Sequence, residues 1–174
     1  MPTQVDIPGY AAGTWVIDTG RSEVSFHIRQ FAISTVHGRF EDFEGTIVTA
    51  ENPLESSVKA VIKTASVNTK SKARDKHLRQ EDLLSAEEHP SMTFNSTGVR
   101  AEGGKFFLDG DLTVRGVTQQ VTLDLELHQV EGEPLTGFSA STQISRTAFG
   151  VKGGAAGAVV SDTVKITLDI KATR

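Results

Sequence analysis

The chain has no cysteine among its 174 residues, which excludes disulfides and thiolate-bound metals alike. It has no excess of positive charge. A net charge of −4 argues against a nucleic-acid partner, because phosphate backbones select clearly basic surfaces. No apolar run approaches the roughly 20 residues of a membrane-spanning helix, so stable membrane insertion is not expected. Residues 1–8 carry neither a basic cap nor an apolar stretch and do not read as a secretory signal. A cytoplasmic location is the resulting expectation. No two histidines stand at i, i+4, and no metal site is expected. There is no G-x-S-x-G nucleophile motif. The stretch Gly153-Gly154-Ala155-Ala156-Gly157 lacks the G-K-[ST] ending of a phosphate loop and reads as a flexible loop at a barrel mouth.

What is present is a two-residue rhythm. Val121, Leu123, Leu125 and Leu127 alternate with Thr122, Asp124, Glu126 and His128. Such alternation puts successive side chains on opposite faces of a sheet. The pattern returns at Val24, Phe26 and Ile28; at Val36 to Val48; at Val58, Ala60 and Ile62; at Met92 and Phe94; at Phe106, Leu108, Leu112 and Val114; at Phe138, Ala140, Thr142 and Ile144; and at Val164 to Ile170. Short turns join most of these runs, which implies antiparallel neighbours. Gly38 and Gly45 interrupt one run and read as bulges or bends. About eight strands result, with a β-sandwich as the alternative to a closed barrel. Two runs, Lys105 to Arg115 and Gln119 to Val130, reach about 11 residues each and favour a long barrel over the usual strand of about 5–6 residues. Residues 1–13 form an irregular lead-in to a single domain over 14–174.

The rhythm stops between Ser71 and Glu88, where charge and helix formers predict one or two short helices ended by His89-Pro90. This segment holds the densest set of reactive side chains, Arg74, Asp75 and His77. Lys70, Lys72 and Arg74 stand where a helix would begin, which opposes the helix dipole unless an anion sits between them. Asp75 and Arg79 are spaced as a surface ion pair. Glu81 and Asp82 before Leu83-Leu84 suit the start of a second helix packed on the barrel. Asn95-Ser96-Thr97 matches the glycosylation pattern by chance on a strand. Gly13-Thr14-Trp15 resembles the G-x-W near the start of lipocalins, where a tryptophan plugs the barrel end.

Several segments in order resemble the YceI family of polyisoprenoid-binding, lipocalin-like barrels. They are Trp15-Val16-Ile17-Asp18 with Ser22 to Phe26, Ser34 to Phe40, Ala65 to Thr69, Arg74 to Arg79, His89 to Phe94, Gly110 to Thr118 and Arg146 to Gly150. The chain departs from that pattern at Arg21, Gln30, Leu83-Leu84 and Ala148. The resemblance implies an all-β, extended eight-stranded antiparallel barrel with one or two short helices inserted around residues 71–88. It implies a bound isoprenoid lipid, such as a polyprenyl phosphate or diphosphate or a quinone-like molecule, carried or stored in the interior, and a homodimer. Many relatives carry a secretion signal. No cofactor beyond that lipid is expected.

Phe26, Ile28, Phe40, Ile62, Phe94, Phe106, Leu108, Leu125 and Phe138 share the apolar face and are the candidate lining of a tunnel. Arg74, His77 and Arg146 are the candidate contacts for a polar head group. A filled barrel is the alternative to a hollow one. Two other functions remain open on the residues: a barrel enzyme using Arg74, Asp75 and His77 as an acid-base group, and a scaffold whose dimer surface matters more than any ligand.

Overall fold

The computed structural model describes residues 7–30, 33–128, 132, 134–152 and 160–174. Its strands are β1 (Gly13–Ile17), β2 (Glu23–Gln30), β3 (Ser34–Phe40), β4 (Phe43–Thr49), β5 (Ser57–Lys63), β6 (Val67–Asn68), β7 (Ser91–Glu102), β8 (Lys105–Val114), β9 (Val117–Leu127), β10 (Gly137–Ser145) and β11 (Val160–Thr173). One α-helix, α1 (Lys72–Leu78), lies between β6 and β7. All strand pairings are antiparallel.

The eight-stranded ring β1-β4-β5-β7-β8-β9-β10-β11 closes through β1 and β11, with Val16 opposite Thr173 and Ile17 opposite Ala172. Closure rules out the sandwich. The long β11 serves two partners: its last residues pair with β1, and Val164–Asp169 pair with β2. β1 and β2 are thus the two halves of one bent strand. The bend is held by Asp18, which accepts from Gly20 N–H at 3.1 Å and pairs with Arg21 Nε at 2.8 Å. β3 and β4 form a second such strand, since β3 pairs with β2 while β4 pairs with β1. Beyond Arg39 and Phe40, which meet β6, the far edge of β3 pairs with no strand among the described residues. α1 stands on that side of the barrel.

The break between β3 and β4 falls at Glu41-Asp42, and not at Gly38 or Gly45. Both glycines stay in register, opposite Phe26 and Ala60. They serve close approach: a Cβ on Gly38 would lie 2.8 Å from Phe26 Cε1, and one on Gly45 would lie 2.5 Å from Ile17 Cδ1. Gly110 likewise gives room to Phe94, whose Cε1 would sit 2.6 Å from an added Cβ.

The hairpins follow their turn chemistry. Gly103-Gly104 (φ 57° and 81°) and Arg115-Gly116 (φ 53° and 75°) each place two residues in the left-handed region, as tight two-residue hairpin turns require. β7 carries an irregularity between Ser96 and Gly98; Ser96 Oγ there accepts from Val58 N–H at 2.7 Å.

α1 is seven residues long and capped by Ser71, whose Oγ accepts from Arg74 N–H at 3.3 Å. The second helix expected from Glu81-Asp82 does not form. Residues 79–84 continue as turns closed by Leu83 N–H and Ser85 N–H, which both donate to Gln80 O. Ser85, at φ 50°, then leaves helical geometry. The apolar half of that expectation holds, because Leu83 and Leu84 pack over Met92, Val114, Phe149 and Val151. The glycine-alanine loop at 153–157 lies outside the described residues.

The Trp15 indole is 8% exposed at the opposite barrel end. Its Nε1–H donates to Thr49 Oγ1 at 2.9 Å, and the Arg174 guanidinium lies 4.7 Å above its ring. Trp15 is thus held from both sides within the core cluster at this end of the barrel.

Candidate functional site: a hollow barrel in two chambers

Inward residues of the barrel do not meet across its whole length. They surround a cavity of about 590 Å³, within the range of about 300–1,000 Å³ typical of small-molecule sites. Of the candidate tunnel residues, Phe26, Ile28, Phe40, Ile62, Phe94, Leu108 and Phe138 border it. Phe106 and Leu125 do not. They lie toward the Trp15 end, in a second chamber of about 120 Å³ that also touches Leu108 and Phe138.

The aromatic rings are kept at the wall of the main cavity. Phe26 and Phe40 pack at 5.5 Å between ring centroids. Phe26 occupies the slot above Gly38, and Phe94 the slot above Gly110. Lining residues not singled out from sequence include Val24, Leu123, Val164, Ile166, Leu168 and Gln30. All but Gln30 stand on the alternating apolar faces already read as strands, so the signal was present and underused.

The polar rim comes from α1 and from the end of β10. Arg74, His77 and Arg146 all border the main cavity, but their roles differ. Arg74 donates from Nε to Thr69 Oγ1 at 2.7 Å and from Nη2 to Thr69 O at 2.8 Å. Its remaining N–H groups have no acceptor among the described residues. His77 Nε2 lies 3.0 Å from Asp82 Oδ2, with both side chains over 40% exposed. Arg146 is a clamp. Its guanidinium reaches the carbonyls of Val151, Lys152, Val160 and Ser161 at 2.9 to 3.1 Å, tying together both sides of the 153–159 segment.

Asp75 is buried, and no Asp75–Arg79 ion pair forms. Its Oδ1 accepts from Thr69 N–H at 2.8 Å and from Thr69 Oγ1–H at 2.6 Å. Asp75 is thus tied to Thr69, the residue that Arg74 also holds, and not to the cations at the start of α1. Lys70 and Lys72 point to solvent. No hydrogen bond joins Asp75 to His77, so the proposed acid-base group of Arg74, Asp75 and His77 is not assembled.

A second arrangement on the outer face has the composition of a hydrolytic triad. His128 Nε2 lies 2.6 Å from Ser139 Oγ, and His128 Nδ1 lies 3.9 Å from Asp169 Oδ1. Lys171 Nζ, however, stands 3.1 Å from the same Nδ1. An ammonium only donates, so Nδ1 must accept and the proton of the neutral ring sits on Nε2. His128 thus donates to Ser139 and cannot take its proton, which removes general-base activation. Among the described residues no group of three or more His, Asp or Glu could hold a metal ion, and no helix is long and apolar enough to cross a membrane.

The molecule is thus a closed antiparallel barrel whose hollow, apolar-lined interior is bordered by cationic side chains, the architecture of a lipocalin-like barrel. Residues 15–172 match the model of the YceI-like domain, and the chain belongs to that family. It is 38% identical over 143 residues to a UPF0312 protein of Photorhabdus laumondii, covering 82% of this chain and 69% of that one. It is 39% identical over 134 residues to protein YceI of Escherichia coli, covering 74% and 70%. The crystal structure of Burkholderia cenocepacia BcnA superposes with a TM-score of 0.82 at 26% identity, over 90% of this chain and 99% of BcnA. A domain of Saccharophagus degradans described as polyisoprenoid-binding shares the fold at a TM-score of 0.71, over 91% of this chain and 97% of that domain. Its identity is 18%.

Proposed function

We propose that this protein binds a long isoprenoid lipid, with the tail in the main cavity and a phosphate or other polar head at the rim beside Arg74 and His77, and that it carries or stores that lipid. One observation supports this most: a cavity of about 590 Å³ whose wall is almost wholly aliphatic and aromatic, opening beside an arginine with N–H groups to spare. The description of the Saccharophagus degradans domain supports the isoprenoid class.

The energetics favour tight, slow-release binding. Each buried CH₂ contributes about 0.8 kcal/mol, so a tail of about forty carbons would gain roughly 30 kcal/mol gross. Observed affinities stop near about −18 to −21 kcal/mol; ordering of the chain and partial exposure offset the rest. Arg74 adds selectivity for an anionic head, since bonds from a charged donor are the stronger ones. Arg146, already held by four carbonyls, contributes structure to the rim.

The test is competition. Delipidated protein is titrated with a polyprenyl phosphate, the matching alcohol and a saturated fatty acid. The reading expects the phosphate to bind best and the fatty acid worst. Equal affinity for all three would contradict it.

A further inference from the structure

The two chambers share three residues: Val58 on β5, Leu108 on β8 and Phe138 on β10. No two of these strands are neighbours in the sheet, so the three side chains converge from separate parts of the wall. Val58 and Phe138 each pack against both the Trp15 cluster and the Phe94-Leu108-Leu123 cluster. They form the layer where one core gives way to the other.

The three differ in freedom to move. Leu108 is 2% exposed, fixed among Phe94, Leu123 and Ala140. Val58 is β-branched, hence stiff at χ1, and its backbone N–H is tied to Ser96. Phe138 remains half-buried although it joins both clusters, because it has open space on either side. The next inward residue on its strand is the small Ala140. Phe138 is the movable element of the layer.

The chamber beyond it suits an apolar chain end. It is lined by residues such as Phe106, Leu125, Leu127 and Val99. Tyr10 borders it, but its hydroxyl is bonded to Ala50 O and lies 3.1 Å from Ser56 Oγ, which leaves only the ring for a ligand.

We propose that Val58, Leu108 and Phe138 form an internal gate, and that Phe138 sets the length of isoprenoid tail the barrel accepts. Short tails end in the main cavity against the Phe138 ring. Longer tails displace that ring and continue into the second chamber. This rests on the isoprenoid reading above.

The experiment equilibrates delipidated protein with an equimolar mixture of geranylgeraniol and solanesol, short and long prenyl alcohols, and measures the bound ratio by mass spectrometry after extraction. Phe138→Ala is expected to shift the ratio toward solanesol by about tenfold or more, since two further buried CH₂ groups at about fourfold each already amount to that. Phe138→Leu, a milder truncation, should shift it the same way by less. Val58→Phe thickens the layer and should shift it the opposite way. A parent that binds both alcohols, with variants that leave their ratio unchanged, overturns the gate and spares the isoprenoid reading. A parent that takes up neither alcohol overturns both.

Discussion

Gly38 and Phe26 stand directly opposite each other on β3 and β2, and the phenyl ring fills the place where a side chain on Gly38 would begin. The Phe94 ring likewise fills the place of a Cβ on Gly110, reaching it diagonally, since Gly110 stands opposite Ser96 and Phe94 opposite Leu112. Each glycine lets a large ring lie against the barrel wall instead of across the lumen. Hollowness is in this sense written into the wall: two glycines give two large rings room to lie back against it.

Substituting Gly38→Ala or Gly110→Ala should therefore push Phe26 or Phe94 inward. The strain of overpacking is expected to cost about 1–3 kcal/mol, read as a lower urea midpoint. Lipid capacity should fall as well. Gly98→Ala is the control, because nothing lies within 4 Å of a Cβ there.

Asp75 and Thr69 form a buried pair that locks α1 to the end of β6. Asp75→Ala leaves the Thr69 N–H without its acceptor and should cost about 1–3 kcal/mol. Thr69→Val removes the hydroxyl that serves both Asp75 and Arg74. Because the two residues share one network, the double variant should lose less than the two single losses added together. Chemical denaturation of the four proteins measures this directly.

Arg74→Leu should weaken binding of a polyprenyl phosphate far more than binding of the matching alcohol. A bond to a charged group is worth about 1.5–3 kcal/mol, so a loss of about tenfold or more is expected for the phosphate. Rising salt should narrow the difference. An equal loss for both ligands would show that the arginine only braces Thr69.

Asp162 gives the acid limb of stability. The Ser145 hydroxyl, followed by the Thr147 hydroxyl and N–H, holds its carboxyl down from the ordinary 3.8 to about 2. A carboxylate with a depressed folded-state pKa stabilises fully above its unfolded value. That stabilisation is lost as pH falls from 3.8 through about 2. Asp109 is depressed in the same direction, first by its bond from Arg100 and next by that from Thr122. Thermal unfolding between pH 5 and pH 2, about the span over which such carboxylates titrate, should show a shallower decline for Asp162→Asn than for the parent.

The barrel was legible because its strands obey a two-residue period and a one-sided core demands it. Val121 to Leu127, Phe138 to Ile144 and Val164 to Ile170 all occupy strands. The seven lining residues of the main cavity followed from the same alternation. Periodicity shows which face a residue takes and not what lies across from it, so the division of the single expected tunnel into two chambers, with Phe106 and Leu125 in the smaller one, was out of reach. The strand break at Glu41-Asp42 was mistaken for glycine bends, because glycine relieves a clash and a bend with the same letter. Asp75 looked like a surface residue until the turn at Lys70, with φ 63°, brought Thr69 against it. The carbonyls around Arg146 were invisible for a similar reason, since backbone acceptors leave no mark in a sequence.

Removing bound lipid should lower thermal stability. A ligand at about 100 times its Kd contributes about 2.7 kcal/mol. For a domain of this size that corresponds to about 5–10 °C. Differential scanning calorimetry before and after delipidation measures the shift, and re-addition of a prenyl lipid should restore it.

Native mass spectrometry of protein freshly purified from a lipid-producing host tests the central claim most directly. The account predicts a mass above that of the bare chain, with the excess released by organic solvent and identified as an isoprenoid. Repeated recovery of the bare mass from such a host, with solvent extracts free of isoprenoid, would contradict it.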